Sequence, residues 1–222
     1  MNVICRAATV GLWCDASQKV SAEQAAGLKA VGYVGIVRYV PLPKNGARLD
    51  IDASELDWIV EAGLELMLVQ HVRESPKGSR GWDPAAHSGT VDGQDAADFA
   101  KAAGYPAGAH LWLDLEDIGG SGLSTIAFAE AWAGAVMAAG FKAGAYVGFD
   151  VPLDAQALYD LHGFDSYWSD AGPRAVADRG FAMKQITPQV VVAGVEIDRD
   201  DLQADRHGEV PFVAAAAPAE VA

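Results

Sequence analysis

The run His110-Leu111-Trp112-Leu113-Asp114-Leu115-Glu116-Asp117-Ile118-Gly119-Gly120 constrains the fold of this chain more than any other. Side chains alternate faces along a strand, so Leu111, Leu113 and Leu115 form one face and Trp112, Asp114 and Glu116 the other. The aliphatic face suits a covering layer of helices. Two acids on the opposite face, at the strand's C-terminal end, are costly to bury and call for a function. The competing reading is that Glu116 and Asp117 merely open a polar loop, and the remainder of the chain decides between the two.

Strands and helices alternate on either side of this run. Ala8 to Asp15 reads as a first strand, with Gly11, Trp13 and Asp15 on one face and Val10, Leu12 and Cys14 on the other. Ser21 with Gln24 three residues on is a capping box that opens a helix to about Ala30, closed by Gly32. Tyr33 to Val40 is rich in β-formers, and residues 41–46 form a loop. Asp52 or Ser54 caps a second helix that stops near Gly63, and Leu64 to Gln70 is a third strand. A long connection follows, from His71 to about Thr90, which at that length is functional or disordered. It carries His87 and also Trp82, which either plugs the loop onto the core or stacks on a sugar. Asp92 to Ala103 and Ser124 to Ala139 are helices around the central run. Lys142 to Phe149 is the fifth strand and Asp154 to Leu161 a short helix. Three strand-like stretches then close the pattern: Ser166 to Asp170, Phe181 to Thr187, and Val190 to Asp198.

The alternation predicts a parallel sheet covered by helices. Five strand–helix units followed by three strands with little helix give eight strands, enough to close a TIM-like α/β barrel of the (β/α)5(β)3 kind. The expected organisation is a single barrel domain over 1–210 with an Ala/Pro-rich tail at 211–222. With 51% hydrophobic residues the chain can fill such a core.

Composition narrows the function. A net charge of −14 disfavours binding to nucleic acid or to anionic lipid, but it leaves neutral glycans open. No stretch is apolar for long enough to span a bilayer, so membrane insertion is not expected. Cys5 and Cys14 are too few for a disulfide framework. Met1 to Val10 does not read as a secretory signal, which points to synthesis in the cytoplasm and release by lysis or by a delivery particle.

In a barrel of this type the site lies at the C-terminal ends of the parallel strands. Asp15, Asp114, Glu116 and Asp198 are expected to meet there in one solvent-reachable pocket, with Glu196 on the same face as Asp198. Acids crowded together with few nearby cations raise one another's pKa, as a proton-donating carboxylic acid at neutral pH requires. Such acids could also bind Mg²⁺ or Ca²⁺, but no EF-hand loop or phosphate-binding glycine loop is present. His71, His87, His110, His162 and His207 lack zinc-ligand spacing. No metal or other cofactor is expected.

Four motifs in order resemble family 25 of the glycoside hydrolases, the muramidase-type lysozymes. They are Gly11-Leu12-Trp13-Cys14-Asp15-Ala16-Ser17, Leu113-Asp114-Leu115-Glu116, Ala145-Tyr146-Val147-Gly148, and Lys184-Gln185-Ile186-Thr187 with Gly194-Val195-Glu196-Ile197-Asp198. The helix pattern from Ser21 to Tyr33, followed by Arg38-Tyr39, resembles the related bacterial glycoside-hydrolase-like barrel domains. The likeness spans roughly residues 9 to 202. The chain departs from the lysozymes in Ala16 after Asp15, in Tyr39 and in the long third connection, which bears on substrate more than on fold. The resemblance implies Glu116 as general acid and Asp114 as a positioning or charge-stabilising group. It implies that Asp15 and Asp198 hold the sugar, Tyr146 and Gln185 donate hydrogen bonds, and Trp168 offers a stacking floor; Trp82, read from the long connection itself, is a further substrate-binding candidate.

Three functions follow as expectations. The first is a glycosidase that cleaves peptidoglycan or a related aminosugar polymer, endolysin-like or particle-delivered. The second is a barrel that binds glycan without cutting it. The third is a structural or attachment module of a phage particle or another delivery partner.

Overall fold

The computed structural model describes residues 2–42 and 49–217. Most of the loop expected at 41–46, and the end of the expected tail, lie outside the described residues. In chain order the elements are β1 (Asn2–Arg6), β2 (Leu12–Ala16), α1 (Ala22–Val31), β3 (Tyr33–Val40), α2 (Ala53–Glu61) and β4 (Glu65–Gln70). A 3-10 turn (Pro84–Ala86) precedes α3 (Gly89–Ala102), β5 (His110–Leu115), α4 (Gly122–Ala138), β6 (Lys142–Val147), α5 (Ala155–Tyr159) and β7 (Phe164–Ser169). Then come β8 (Met183–Val192), β9 (Val195–Leu202) and β10 (Phe212–Ala216).

Strands β2 to β9 close into an eight-stranded TIM-like barrel, with β4 paired to β5 and β9 to β2. Neighbours from β2 through β8 are parallel, and β9 runs antiparallel to both β8 and β2. Helices follow β2 to β6, and β7 to β9 have none, in keeping with the (β/α)5(β)3 pattern. The sequence signals act locally as their chemistry dictates. Ser21 and Gln24 form a reciprocal capping box on α1, Asp52 caps α2, Ser88 caps α3, and Ser121 caps α4. Among the described residues, no helix is long and apolar enough to cross a membrane.

The barrel interior is packed with large side chains: Trp13, Val37, Met67, Trp112, Tyr146, Trp168 and Met183. Two indoles fit because the facing strand carries glycine. A Cβ at Gly35 would lie 2.4 Å from the Trp13 ring, and one at Gly144 would lie 2.6 Å from Trp112. Leu111, Leu113 and Leu115 instead join the larger core between barrel and helices, so β5 has the predicted phase.

Three expectations are corrected. The first barrel strand starts at Leu12, not at Ala8, and residues 2–6 form a separate strand, β1. The supposed tail supplies β10, which pairs with β1 and with β4 at Leu66. Pairing of β5 with β4 begins only at Leu68, so β10 takes the edge left free below it, where Phe212 N–H donates to His110 Nδ1 at 2.8 Å. Small alanines there are strand residues because the ribbon is held on both sides. Finally, the stretch from Val190 to Asp198 is not one strand. Ala193 (φ 52°) and Gly194 (φ 75°) form a two-residue hairpin turn, of the kind that needs positive φ at both positions. The closing strand therefore starts at Val195 and runs on to Leu202.

Outside the barrel wall, Arg38 and Glu55 are buried together, with Nε to Oε1 at 2.6 Å. Arg38 also donates to the carbonyls of Ala16 and of Leu49, and Glu55 accepts the Val20 N–H at 2.8 Å. This network ties α2 to the end of β2, one residue past Asp15. Glu55→Ala should cost about 3–5 kcal/mol, because it leaves a buried guanidinium without its charge partner. Denaturant unfolding of the variant and the wild type measures the difference.

Candidate active site at the barrel mouth

Asp15 lies one residue before the end of β2, Asp114 one residue before the end of β5 and Glu116 just past it, and Asp198 and Asp200 lie on the inward face of β9. Because β9 is antiparallel, Asp198 stands opposite Asp15 in register and Asp200 opposite Trp13. Asp15 and Asp114 are 4% and 5% exposed, Asp200 is 3% exposed, and Glu116 and Asp198 are half-buried. Register and electrostatic coupling bring these acids to one end of the barrel, but they do not share one solvent-reachable pocket as expected. Solvent reaches Glu116 and Asp198, whereas Asp15 and Asp114 sit beneath them among the aromatic side chains.

Asp15 is held by two donors. Gln185 Nε2 donates to Oδ2 at 3.1 Å and Tyr39 Oη to Oδ1 at 3.4 Å. Tyr146 Oη donates to Gln185 Oε1 at 3.3 Å, and the Tyr146 ring meets Trp168 edge-on at 4.5 Å. Tyr39 stacks on His71 at 4.5 Å, and His71 Nε2 lies 2.7 Å from the buried Asp50 carboxylate. Asp200 accepts from Trp168 Nε1 at 2.9 Å, and its second oxygen has no hydrogen-bond donor.

Burial dominates the electrostatics. It lifts Asp15 to about 7, helped by the Asp198 charge. Glu116 is likewise raised to about 7 by burial and then by Asp117 and Asp170. Asp114 is pushed well above the carboxylate range by burial, then by Glu116 and Asp15. Asp200 is pushed up strongly by burial and by Asp15, against which it lies. The same causes push the Tyr39 and Tyr146 hydroxyls up. The expected crowding acts on Asp114, second to desolvation, whereas Glu116 is raised by burial and by Asp117 and Asp170 instead.

The strand end that carries Glu116 is braced from behind by the connection at 71–88. Trp82 N–H donates to Asp117 O at 2.9 Å, Gly119 N–H to Trp82 O at 2.8 Å, and Trp82 Nε1 to Glu116 O at 2.9 Å. Ser75 Oγ reaches the Asp117 carboxylate. These bonds hold Asp117 at φ 50°, a left-handed conformation that a non-glycine residue adopts at some cost. Gly148 leaves the room Glu116 occupies, since a Cβ there would fall 2.5 Å from its carboxylate.

Two tryptophans do not sit where a sugar could stack. Trp82 is 1% exposed and packs edge-on against Phe128, so it is the plug rather than the platform. Trp168 is also 1% exposed and is sealed beneath Tyr146. Asp200, Tyr39 and His71 enter the cluster without having been selected from the sequence. Asp200 shares the parity of Asp198, but Asp198-Arg199-Asp200-Asp201 reads as a polar loop until β9 is known to continue to Leu202.

These raised values set a pH dependence for stability. A carboxyl with a folded-state pKa above its unfolded one stabilises fully below the unfolded value, and that contribution is lost as pH rises through the folded value. For Asp15 the window runs from its ordinary 3.8 to about 7, a loss on the order of a few kcal/mol. The melting temperature should fall between pH 5 and 8. Asp200→Asn should raise it at pH 8 and flatten the profile, since an amide can donate to Asp15. Thermal unfolding across that range checks both, and a melting temperature that climbs with pH in the wild type would contradict them.

No curated protein sequence matches the chain. A solved structure of the Tat-secreted protein Rv2525c of Mycobacterium tuberculosis, in complex with L-tartrate, superposes with a TM-score of 0.67 at 18% identity, covering 90% of this chain and 98% of that one. An uncharacterised protein of B. stearothermophilus gives 0.64 at 18% identity, over 88% and 96%. At these identities the likeness speaks for the barrel fold. The sequence model described as the Rv2525c-like, glycoside hydrolase-like domain matches residues 26–202, and the chain belongs to that family.

Proposed function

We propose that this protein is a glycosidase acting on an aminosugar polymer of the peptidoglycan type, with Glu116 as its general acid. The observation that supports this most is the state of Glu116. It is a half-buried carboxyl at a strand end, reachable from solvent, with a pKa raised to about 7. At neutral pH such a group carries a proton in a large fraction of molecules and can hand it to a leaving glycosidic oxygen. Asp114 contributes a buried carboxyl oxygen, Oδ1, that has no hydrogen-bond partner. Burial and the neighbouring Glu116 and Asp15 disfavour a standing negative charge on Asp114 in the free protein. Once Glu116 has given its proton to the leaving oxygen, its carboxylate takes the Asp114 proton, which leaves Asp114 as the anion facing the positive charge on the sugar ring. Asp15, held by Gln185 and Tyr39, supports the floor of the site from beneath, and Asp198 lines the approach.

The solved relative Rv2525c is Tat-secreted, which favours action outside the cytoplasm over the lysis-type or particle-borne route expected from the N-terminus. A cell-wall polymer fits that location. The second reading is a barrel that binds glycan without cutting it. It is favoured by the depth and neutrality of Asp114, which leave no ready anion beside the acid.

Glu116→Gln preserves shape and hydrogen bonding but cannot donate the proton, so release of reducing ends from purified peptidoglycan should drop about 10²–10⁴-fold. Asp114→Asn should also slow release, because an amide cannot ionise. Equal rates for wild type and Glu116→Gln would remove the general-acid assignment. Binding by the wild type with no cleavage would establish the second reading.

A further inference from the structure

Away from the mouth, a cavity of about 400 Å³ opens on the wall left bare by the missing helices after β7 and β8. Its lining includes Arg174, Lys184, Arg206, Val176, Phe181 and Gln203. In a chain of net charge −14, three cationic side chains gathered on one cavity are notable for their lack of counter-charge. Among the described residues Lys184 and Arg206 make no ion pair, although Asp201 stands opposite Lys184 across β8 and β9. Arg174 has only a 3.9 Å contact with Asp170, whose Oδ1 already accepts the Gly172 N–H at 3.0 Å.

The acid in the lining, Asp205, is fully engaged elsewhere. Arg179 donates to its Oδ2 at 2.7 Å, and the N–H groups of His207 and Glu209 donate to its Oδ1, each at 2.9 Å. The same arginine ties the frame together, because its carbonyl accepts the Arg206 N–H at 2.9 Å and its guanidinium reaches Asp165 O at 2.8 Å. Gly180, at φ 73°, brings backbone close to Arg206, since a Cβ there would lie 3.4 Å from Nε.

We propose that this cavity binds a small organic phosphate, with the phosphoryl group on Arg174, Lys184 and Arg206. A phosphate monoester carries close to two negative charges at neutral pH and three acceptor oxygens, which suits three cationic donors. The volume falls in the range of small-ligand sites and exceeds what the phosphoryl group alone fills. Phe181 and Val176 give the carbon skeleton an apolar wall, and Gln203, whose Nε2 donates to Phe181 O at 3.4 Å, keeps its amide oxygen for a hydroxyl. None of the mouth acids lines this cavity, so the site is separate from the proposed glycan site and stands or falls independently of it.

The probe is glucose 6-phosphate, titrated into the full chain at low ionic strength and followed by calorimetry and by amide shifts in two-dimensional NMR. Shifts should map to residues 174–184 and 203–206. Affinity should weaken with added salt and fall about tenfold or more in Lys184→Gln/Arg206→Gln. Both side chains are exposed, so the variant should fold normally, which circular dichroism checks. Absence of binding, equal binding by the double variant, or equal binding of citrate would each overturn the phosphate assignment.

Discussion

Everything at the barrel mouth depends on one constraint: carboxyl groups are buried where no cation accompanies them. Arg38 is the one Lys or Arg side chain fully buried among the described residues, and it is turned outward onto Glu55 and the Ala16 carbonyl. Asp15, Asp114 and Asp200 thus face an interior of tryptophan, tyrosine and methionine with only hydroxyl, amide and indole donors. An ion in such a place loses more in desolvation than neutral dipoles return, so the groups hold protons instead. The same burial that weakens the fold at high pH creates a proton reservoir beneath Glu116.

The scaffold resolves this by dividing its charges between layers. In the outer layer, acids are paired: Glu55 with Arg38, and Asp92 with Arg73 through two bonds of 2.9 and 2.5 Å. These pairs fasten α2 and α3 to the strand ends and to the connection at 71–88. Inside, acids are not paired with cations. Trp82 links the layers, since it is buried in the outer core while its indole and backbone hold Glu116 and Asp117 in place.

Much of this was legible in the sequence because it rests on local chemistry. Capping serines, the alternation on β5 and the near-continuous apolar runs of parallel strands each state their structure within a few residues. What escaped depends on distant partners. The alanines of β10 are strand only because β1 and the free edge of β4 receive them. The direction of β9 turns on Ala193 and Gly194, where alanine gives no warning of positive φ. Missing that hairpin hid Asp200. The roles of Trp82 and Trp168 were undecidable from composition, since a buried plug and a sugar platform use the same residue.

The central claim is that the mouth of this barrel keeps carboxyl groups protonated near neutral pH, with Glu116 the one that solvent reaches. Carbon-13 NMR titration of the side-chain carboxyls, with Glu116 assigned through Glu116→Gln, tests it directly. The account predicts that the Glu116 resonance moves with a midpoint near 7, well above the ordinary 4.5, and that Asp114 also titrates well above the ordinary carboxylate range. Midpoints for Glu116 and Asp114 in the ordinary carboxylate range would contradict it.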